Sequence, residues 1–464
     1  MENKVNFAEE PAGTARGSGG DGFGADAPAV MTYEEALDYL HGVQRFGSKP
    51  GLQRVEALLA VLGHPERSLR FVHVAGTNGK GSTAAMIESI LRTAGYRTGF
   101  FVSPFVENFR ERVQVDGAWL SKSEWAARLS GVRAAAAAVT ASGGPQATEF
   151  ELLTALALRC FADRGCDIVV LEVGLGGRFD ATNAIPPSEV AVITPISRDH
   201  TEYLGETLAS IAFEKCGIVK RGCHVVAGLG QPLEAMAVIR ACCEQAEAPL
   251  RVPDEALLRV READLAGTRF MYRERALFVP LMGAHQVQNA LAACEAARAL
   301  AARGWAVSDE AIDRGLSAVR WGGRLEIVRK TPLCVIDGAH NAAKTEALAR
   351  ALDTLFHGRR RVIVMGMSAD KETALCAGHI AARSDVFIAT QYKNPRALPA
   401  ETMARQAAPH CARVEIHPDP DIACARALAL CGPEDLLLVC GSLYLIGDAK
   451  RSLTAAEHRT YEGA

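Results

Sequence analysis

The sequence predicts an α/β protein built from two successive, mostly parallel β-sheets with helices on both faces. Apolar runs of strand length alternate with helix-length segments from about Met31 onward, which is typical of such sheets. A glycine-rich turn at residues 76–81 joins one apolar run to a helical segment, as in phosphate-binding loops. A second alternating series follows residues 320–324. We therefore expect a P-loop domain over residues 31–322, a smaller doubly wound, Rossmann-like domain over 323–464, and a disordered glycine-rich extension over 1–30.

The predicted first domain contains five strands and five main helices. The strands are expected at 71–75, 98–103, 168–173, 190–194 and 224–228, and the helices at 82–94, 121–141, 149–164, 233–246 and 286–303. The more broken stretch 250–281 is typical of a small antiparallel sheet. In the second domain, strands are expected at 333–337, 361–365, 386–389, 414–416 and 436–440, with helices at 342–356 and 419–430. A cleft between two such domains is a common ligand site.

Composition limits the functional classes. The chain has 464 residues, is 49% apolar and has a net charge of −3, which argues against nucleic acid or a membrane surface as the main partner. No apolar window reaches the length of a membrane span, and the first residues lack a signal-peptide pattern. The thirteen cysteines are scattered without a C-x-x-C pair, which favours reduced, buried thiols in a cytoplasmic protein. No heptad or long apolar stripe is present, so we expect a monomer.

The glycine-rich turn, H-V-A-G-T-N-G-K-G-S-T at residues 73–83, is the strongest single motif. A strand, a glycine loop and a helix in this order allow backbone N–H groups and the positive end of the helix to surround a phosphate. Lys80 would lie along the β- and γ-phosphates of a nucleotide. The spacing is two residues shorter than the common Gly-Lys pattern, and Gly81 separates the lysine from Ser82. A merely flexible turn is the alternative.

Further polar residues follow the predicted strands. Glu172 ends a buried strand, where a carboxylate beside a phosphate loop could hold Mg²⁺; a surface glutamate is the alternative. The loop 174–183 has three glycines followed by polar residues, typical either of a ligand loop or of an ordinary turn.

His200 could ligate a second metal with Asp199 orienting its ring, or be merely structural. Lys215 would either form a surface salt bridge with Glu214 or Glu262 or be drawn toward the metal site.

These parts together predict phosphoryl transfer from Mg-ATP, but a kinase, a hydrolase and a ligase would share them. With the motifs considered in order, the sequence resembles the folylpolyglutamate synthases, in bacteria commonly bifunctional with dihydrofolate synthase and related to the Mur ligases. The resemblance spans about residues 33–450. Its motifs are HVAGTNGKGST (73–83), SPF…RERV (103–113), TEFELLTALAL (148–158), LEVGLGGRFDATN (171–183), DHTEYLGETLASIAFEKCGIVK (199–220), HQVQNA (285–290), WGGRLE (321–326), DGAHN (337–341) and CGSLYLIG (440–447).

The resemblance implies a Mur-ligase-like central domain and a role for each matching residue. The residues implied to bind ATP are Gly76, Thr77, Asn78, Gly79, Lys80, Gly81, Ser82, Asn289, Arg324 and Asp337. Those implied to hold two Mg²⁺ ions are Ser103 and Glu172 for the first and His200 for the second. Lys215 matches a lysine that becomes carbamylated and then helps to organise the second metal site, which requires a neutral amine. Substrate contacts are implied for Thr148, Phe179, Asp180, Ala181, His340 and Ser442, the last two on the glutamate side of the cleft.

The resemblance also implies the reaction. A carboxylate of dihydropteroate or of a reduced folate would attack the γ-phosphate of ATP, and the amine of L-glutamate would attack the resulting acyl phosphate. Two alternatives stay open: a Mur-type ligase acting on a cell-wall precursor, and a catalytically silent ATP-binding protein. The sequence departs from the family at Arg198, next to the Asp-His pair, at Phe105, where histidine is common, and at residues 321–324, which lack the usual proline.

Overall fold

The structure, a computed structural model, describes residues 30–43 and 51–461, so the predicted extension lies outside the described residues except for Val30. In that part of the chain the α-helices are α1 Tyr33–Gly42, α2 Gln53–Val61, α3 Lys80–Thr93, α4 Lys122–Ala141, α5 Glu149–Asp163, α6 Thr201–Leu204, α7 Leu208–Lys215, α8 Leu233–Gln245, α9 Ala284–Ala302, α10 Asp309–Ala318, α11 Ala342–Leu355, α12 Thr373–Ala381, α13 Ala400–Ala407, α14 Pro420–Leu430 and α15 Leu443–Tyr461.

The strands alternate with these helices along the chain. They are β1 Phe71–Ala75, β2 Thr98–Phe101, β3 Val113–Val115, β4 Ala118–Trp119, β5 Ile168–Glu172, β6 Val190–Ile193, β7 His224–Ala227, β8 Leu250–Arg251, β9 Leu258–Asp264, β10 Gly267–Tyr272, β11 Arg275–Val279, β12 Glu326–Lys330, β13 Leu333–Asp337, β14 Arg361–Met365, β15 Val386–Ala389, β16 Val414–Ile416 and β17 Leu436–Cys440.

The larger sheet has the strand order β4-β3-β2-β5-β1-β6-β7-β8. Strands β2, β5, β1, β6, β7 and β8 run parallel, and β3 and β4 add an antiparallel edge. The central strands are fully buried and almost entirely apolar, because helices cover both faces of the sheet. The carboxyl ends of four adjacent parallel strands therefore meet at one edge, which places the loops after β2, β5, β1 and β6 side by side.

A small antiparallel sheet, β11-β10-β9, follows the larger sheet, as the broken pattern over 250–281 predicts. The last sheet has the order β12-β13-β17-β14-β15-β16 and is parallel except at its β12 edge. Its β13, β17 and β14 ends likewise meet at one edge. Residues 321–325 connect this sheet to the first part of the chain, and the predicted α/β architecture with two parallel sheets is confirmed.

Predicted strand positions agree closely with the structure, and the differences lie at element ends. Strand β2 ends at Phe101 rather than at 103, and α3 begins at Lys80, two residues before the predicted start. The earlier start arises because Gly79 adopts a left-handed conformation and serves as the N-cap. Lys80 therefore belongs to the first turn of the helix.

Two expectations from composition can be compared with the described residues. No described helix is long and apolar enough to cross a membrane. All thirteen cysteines are free thiols and most are buried, as the sequence predicts.

Candidate active site

The phosphate loop is held in a shape that only glycine permits at two positions. Gly76 has φ +140°, and a Cβ there would lie 1.9 Å from the Oγ1 of Thr194. Gly79 has φ +86°, and its Cβ would lie 2.2 Å from the Oδ1 of Asn289. The loop is thus pressed against the end of β6 on one side and against α9 on the other. Asn289, predicted to contact ATP, lies directly beside the loop.

Not all backbone N–H groups of the loop surround a phosphate site as the motif suggests. The backbone N–H groups of Thr77 and Asn78 both donate to the carbonyl of Pro195, each at 3.1 Å, so they face β6 rather than an anion in the cleft. The first N–H groups of a helix lack intrahelical acceptors. The donors suited to a phosphate are therefore those at the start of α3, including Lys80, Gly81 and Ser82.

Packing explains why residue 81, the extra glycine of the motif, has no side chain. A Cβ at Gly81 would lie 2.9 Å from the Trp321 ring and 3.4 Å from Glu172. The absence of a side chain lets Trp321, from the segment between the two sheets, approach the first turn of α3. The glycine thus connects the phosphate loop to the joint between the domains.

Glu172 and Lys80 face each other across the loop. Glu172 is 4% exposed at the end of β5, which rules out the surface-glutamate alternative. Its Oε1 lies 4.0 Å from the Nζ of Lys80, and its Oε2 accepts the backbone N–H of Ser103 at 3.3 Å. Burial raises the pKa of Glu172, and the neighbouring Lys80 and Ser103 oppose that rise. The predicted first-metal residues are therefore neighbours.

Asp199 and His200 are arranged differently from the prediction. The Nε2 of His200 lies 3.8 Å from Asp199, too far for a hydrogen bond that would orient the ring. Asp199 instead accepts from the Nζ of Lys371 at 2.8 Å and from the Nδ2 of Asn341 at 3.2 Å. Because Lys371 and Asn341 belong to the second domain, Asp199 joins the domains. Burial lowers the pKa of His200 to about 4, which keeps the imidazole neutral and able to bind a metal.

Lys215 is drawn into the site, and the alternative of a surface salt bridge with Glu214 or Glu262 is wrong. Its side chain, at the end of α7, is buried, and Nζ donates to the carbonyl of Gly76 at 2.8 Å. Neither Glu214 nor Glu262 is its partner, because the helix turns Lys215 toward the phosphate loop. Burial, followed by the positive charge of Lys80, lowers the pKa of Lys215 to about 7.

Arg324 and Asp337 lie where the second domain begins. The carboxylate of Asp337 accepts the backbone N–H groups of Leu325 and Ala339, each at 2.8 Å, which fixes the joint against β13. Arg324 is half-buried nearby, and its Nη1 donates to the carbonyl of Gly323. Burial lowers the pKa of Arg324 and raises that of Asp337, and their opposite charges counteract both shifts.

His340 and Ser442 lie after β13 and β17. The Nδ1 of His340 donates to the carbonyl of Gly338 at 2.7 Å, and its Nε2 accepts from the Nζ of Lys344 at 3.1 Å. Ser442 is buried and accepts the N–H of Tyr444 in the first turn of α15. Because β13 and β17 are adjacent, both residues lie at the sheet edge that carries Asp337.

The residues predicted to contact the pteroate group are mainly engaged in local structure. Thr148 caps α5, and Asp180 accepts from the N–H and the hydroxyl of Thr182. Phe179 is 51% exposed, whereas Ala181 is buried in the next short turn, which packs against α5. The loop and the start of α5 are thus neighbours, and contact with a ligand remains a prediction for all four.

The donor set fits magnesium at the first predicted site. A buried carboxylate and a hydroxyl are hard oxygen donors, and Mg²⁺ commonly takes one or two carboxylates together with water and substrate phosphates. Among the described residues no group of three or more His, Cys, Asp or Glu side chains surrounds a common point. The protein would therefore supply Glu172 and Ser103, and His200 at the second site, while other ligands complete each shell.

The cleft contains residues that the sequence reasoning missed. All three come from the second domain: Asn341 contacts the phosphate loop, Lys371 contacts Asp199, and Lys344 contacts His340. Only Asn341 lies within a quoted motif. No sequence pattern marks the two lysines as site residues, because their positions depend on how the two sheets meet. The complete site is a buried interdomain cleft with an excess of positive charge, suited to several anions at once.

Two family profiles match the chain. The "Mur ligase middle domain" matches residues 74–297, and the "Mur ligase, glutamate ligase domain" matches residues 323–443. The dihydrofolate synthase/folylpolyglutamate synthase of Bacillus subtilis is 38% identical over 429 residues, which cover 91% of this chain and 99% of the relative. The corresponding Escherichia coli protein is 33% identical, with 90% of this chain and 96% of the relative covered.

Solved structures give the same result. The Mycobacterium tuberculosis folylpolyglutamate synthase complexed with ADP has a TM-score of 0.84 and 32% identity, covering 91% of this chain and 98% of that chain. Escherichia coli FolC in complex with DHPP and ADP has a TM-score of 0.81 and 31% identity, covering 92% and 99%. The chain therefore belongs to the folylpolyglutamate synthase/dihydrofolate synthase family of Mur ligases, which are ATP-dependent, amide-forming ligases.

Proposed function

We propose that this protein joins L-glutamate to the carboxylate of a reduced folate through an acyl phosphate, and that it also converts dihydropteroate to dihydrofolate. One observation carries the proposal: the second domain contacts the phosphate loop directly. Asn341 donates to the side chain of Asn78 at 3.2 Å and to Asp199 at 3.2 Å. These contacts support a single cleft that holds both the nucleotide and the second substrate, as a ligase requires.

The first step brings two anions together. A folate carboxylate must approach the γ-phosphate of ATP, and Lys80 with the start of α3 neutralises and orients the phosphates. Arg324 and Asp337 hold the nucleotide from the joint, and Asn289 does so from α9. Bound Mg²⁺, held by Ser103 and Glu172 and at a second site by His200, would neutralise charge and align the reacting oxygens.

Lys215 prepares the second metal site. Its lowered pKa of about 7 makes the neutral amine available near neutral pH, and only a neutral amine can react with CO₂ to form a carbamate. The carbonyl of Gly76 positions the amine beside the phosphate loop. The carbamate would present an anionic oxygen where the lysine otherwise adds positive charge.

The second step forms the amide. The amine of glutamate attacks the carbonyl carbon of the acyl phosphate, a tetrahedral intermediate forms, and phosphate leaves. His340 and Ser442 hold the incoming glutamate on the second-domain side. Contact between the domains through Asp199 and Lys371 excludes water, which would otherwise hydrolyse the acyl phosphate.

The folate end is assigned to the loop 174–183 and the start of α5. Thr148, Phe179, Asp180 and Ala181 lie there, and exposed Phe179 offers an aromatic face to a pterin or benzoyl ring. The protein acts as a monomer of two domains, divided near residue 322, in the cytoplasm. A cell-wall precursor as acceptor is the alternative within the Mur ligases.

The test is ADP release by the purified protein with Mg-ATP and L-glutamate, comparing dihydropteroate with tetrahydrofolate. Release with both acceptors, with a mass gain of one glutamyl residue in each product, supports both activities. Release with tetrahydrofolate alone restricts the protein to lengthening the glutamate tail. Release only with a nucleotide-sugar precursor contradicts the proposal, as does ATP binding without any acceptor-dependent turnover.

A further inference from the structure

The first turn of α11 lies against the phosphate loop. Its N-cap, Asn341, donates to Asn78 in the loop and accepts the N–H of Lys344 at 3.0 Å. Residues three positions apart on a helix share a face. Lys344 is therefore carried by the same helical turn that contacts the nucleotide side of the cleft, although its chain position lies in the second domain.

The ammonium group of Lys344 has no ion-pair partner among the described residues. Its Nζ donates to the Nε2 of His340 at 3.1 Å, and His340 uses its Nδ1 for the carbonyl of Gly338. A lysine carries three donors, so two are left for a ligand. Lys371, by contrast, is paired with Asp199 at 2.8 Å. Lys344 is thus a partly buried cation that forms no ion pair at contact distance with another described residue.

Other cations lie close to Lys344, and the carboxylate of Asp199 opposes their effect on its pKa. Burial lowers its pKa most, followed by the charges of Lys80 and Arg324, which both lie on the nucleotide side, and its pKa is about 7. Ammonium groups on the two domains, Lys80 and Lys344, repel each other across the cleft. An anion between them replaces this repulsion with two attractions and favours contact between the domains.

We propose that Lys344 binds the phosphoryl group in transfer, opposite Lys80, as a cation supplied by the second domain. This inference rests on the proposed function, in which the γ-phosphoryl group moves from ATP to a carboxylate between the domains and ADP is left. Lys344 would contact the γ-phosphate of bound ATP and then the acyl phosphate. It would make no contact with ADP, because ADP lacks that group.

The experiment compares two nucleotides in calorimetric titrations with Mg²⁺: ADP and the non-hydrolysable analogue AMPPNP. In Lys344→Met the affinity for AMPPNP should fall about tenfold or more, since a charge-assisted hydrogen bond is lost, while the affinity for ADP stays within about twofold. Lys344→Arg should recover most of the AMPPNP affinity. Lys330→Met, at an exposed lysine of β12, is the matched control and should bind both nucleotides normally.

Two results would overturn the inference, and a third would contradict only the proposed function. Equal losses for ADP and AMPPNP would indicate general damage, which a lowered melting temperature would accompany. Unchanged binding of both nucleotides would exclude contact with the γ-phosphate, and a raised KM for glutamate would then assign Lys344 to a glutamate carboxylate. Nucleotide binding needs no acceptor, so a wild-type protein that binds AMPPNP but forms no amide would contradict the proposed function alone.

Discussion

Lys215 donates a 2.8 Å hydrogen bond to the carbonyl of Gly76, and this contact ties the end of α7 to the first residue of the phosphate loop. The two residues are 139 positions apart in the sequence. Their contact places a lysine with a pKa of about 7 beside Lys80, where the proposed reaction needs a removable positive charge.

Lys215→Ala should lower kcat by about 100-fold or more, the usual effect of removing one preorganised electrostatic group. If a carbamate is the active form, a small carboxylic acid such as acetate should enter the vacated space and restore part of the activity. Initial rates with and without acetate provide the measurement. Lys330→Met is the control and should not respond. Full activity of Lys215→Ala would contradict this role.

The pKa of Lys215 also predicts how carbamylation depends on pH. The folded-state pKa is lowered, so the neutral amine predominates above about pH 7 and the ammonium below it. Protein depleted of CO₂ should therefore recover activity on addition of bicarbonate more completely at pH 8 than at pH 6. Equal recovery at both values, measured at matched dissolved CO₂, would argue against a carbamate on this amine.

Lys80→Ala should abolish turnover and leave the fold intact. Lys80 lies in the first turn of α3 with its side chain mostly buried beside Glu172, and no packing cluster depends on it. Its loss removes the cation nearest the predicted phosphates, worth about 100-fold or more in rate. Steady-state ADP release and circular dichroism measure the two properties. Near-normal activity would exclude the phosphate-loop assignment.

Gly79→Ala should weaken nucleotide binding through backbone strain. A left-handed φ of +86° costs a residue with a Cβ about 1–2 kcal/mol, and the new methyl group would collide with Asn289. Gly95→Ala is a matched control, because Gly95 also has positive φ, +94°, but a Cβ there has open space. We expect both variants to lose stability, but only Gly79→Ala to show a raised KM for ATP. Similar KM values in the two variants would contradict the account.

Because of His73, the free energy of unfolding should decrease in mild acid. The Nε2–H of His73 donates to Thr182 at 2.9 Å, and Thr182 in turn donates to Asp180. Burial lowers the pKa of His73 from 6.5 to about 3. Because the folded pKa is depressed, the stability that this group contributes is complete above pH 6.5 and is lost as the pH falls toward 3.

The measurement for His73 is the free energy of unfolding by urea at several pH values between 7 and 4. Near pH 5, one such histidine contributes a slope of about 1.4 kcal/mol per pH unit. His73→Gln should show a slope smaller by about that amount, whatever its stability at pH 7. Desolvation also lowers the pKa of His285, to about 4, and this histidine should retain its own contribution. An unchanged slope would show that His73 is not a buried neutral histidine.

The fold was largely predictable because its strands are short apolar runs between helix-length segments. Strands such as Phe71–Ala75 and Leu436–Cys440 begin and end where the composition changes. Boundaries set by backbone geometry were less predictable. The start of α3 at Lys80 depends on the left-handed Gly79, and Asn289, more than 200 residues later in the chain, fills the space that a Cβ at Gly79 would need.

The first-domain part of the site was predictable for a related reason. Glu172, Ser103 and the phosphate loop follow adjacent parallel strands, and the ends of such strands meet at one sheet edge. The contacts of Asp199 were not predictable, because its partners Lys371 and Asn341 lie about 140 to 170 positions later, in another sheet. Lys344 was missed for the same reason: its importance depends on the approach of two domains rather than on local sequence.

The most direct test of the central claim follows one oxygen atom. Tetrahydrofolate labelled with oxygen-18 in its reactive carboxylate is incubated with the protein, Mg-ATP and L-glutamate, and the released phosphate is analysed by mass spectrometry. If the carboxylate attacks the γ-phosphate and the amine then expels phosphate, each phosphate released receives one labelled oxygen. Unlabelled phosphate accompanied by amide formation would contradict the acyl-phosphate mechanism and the role assigned to the interdomain cleft.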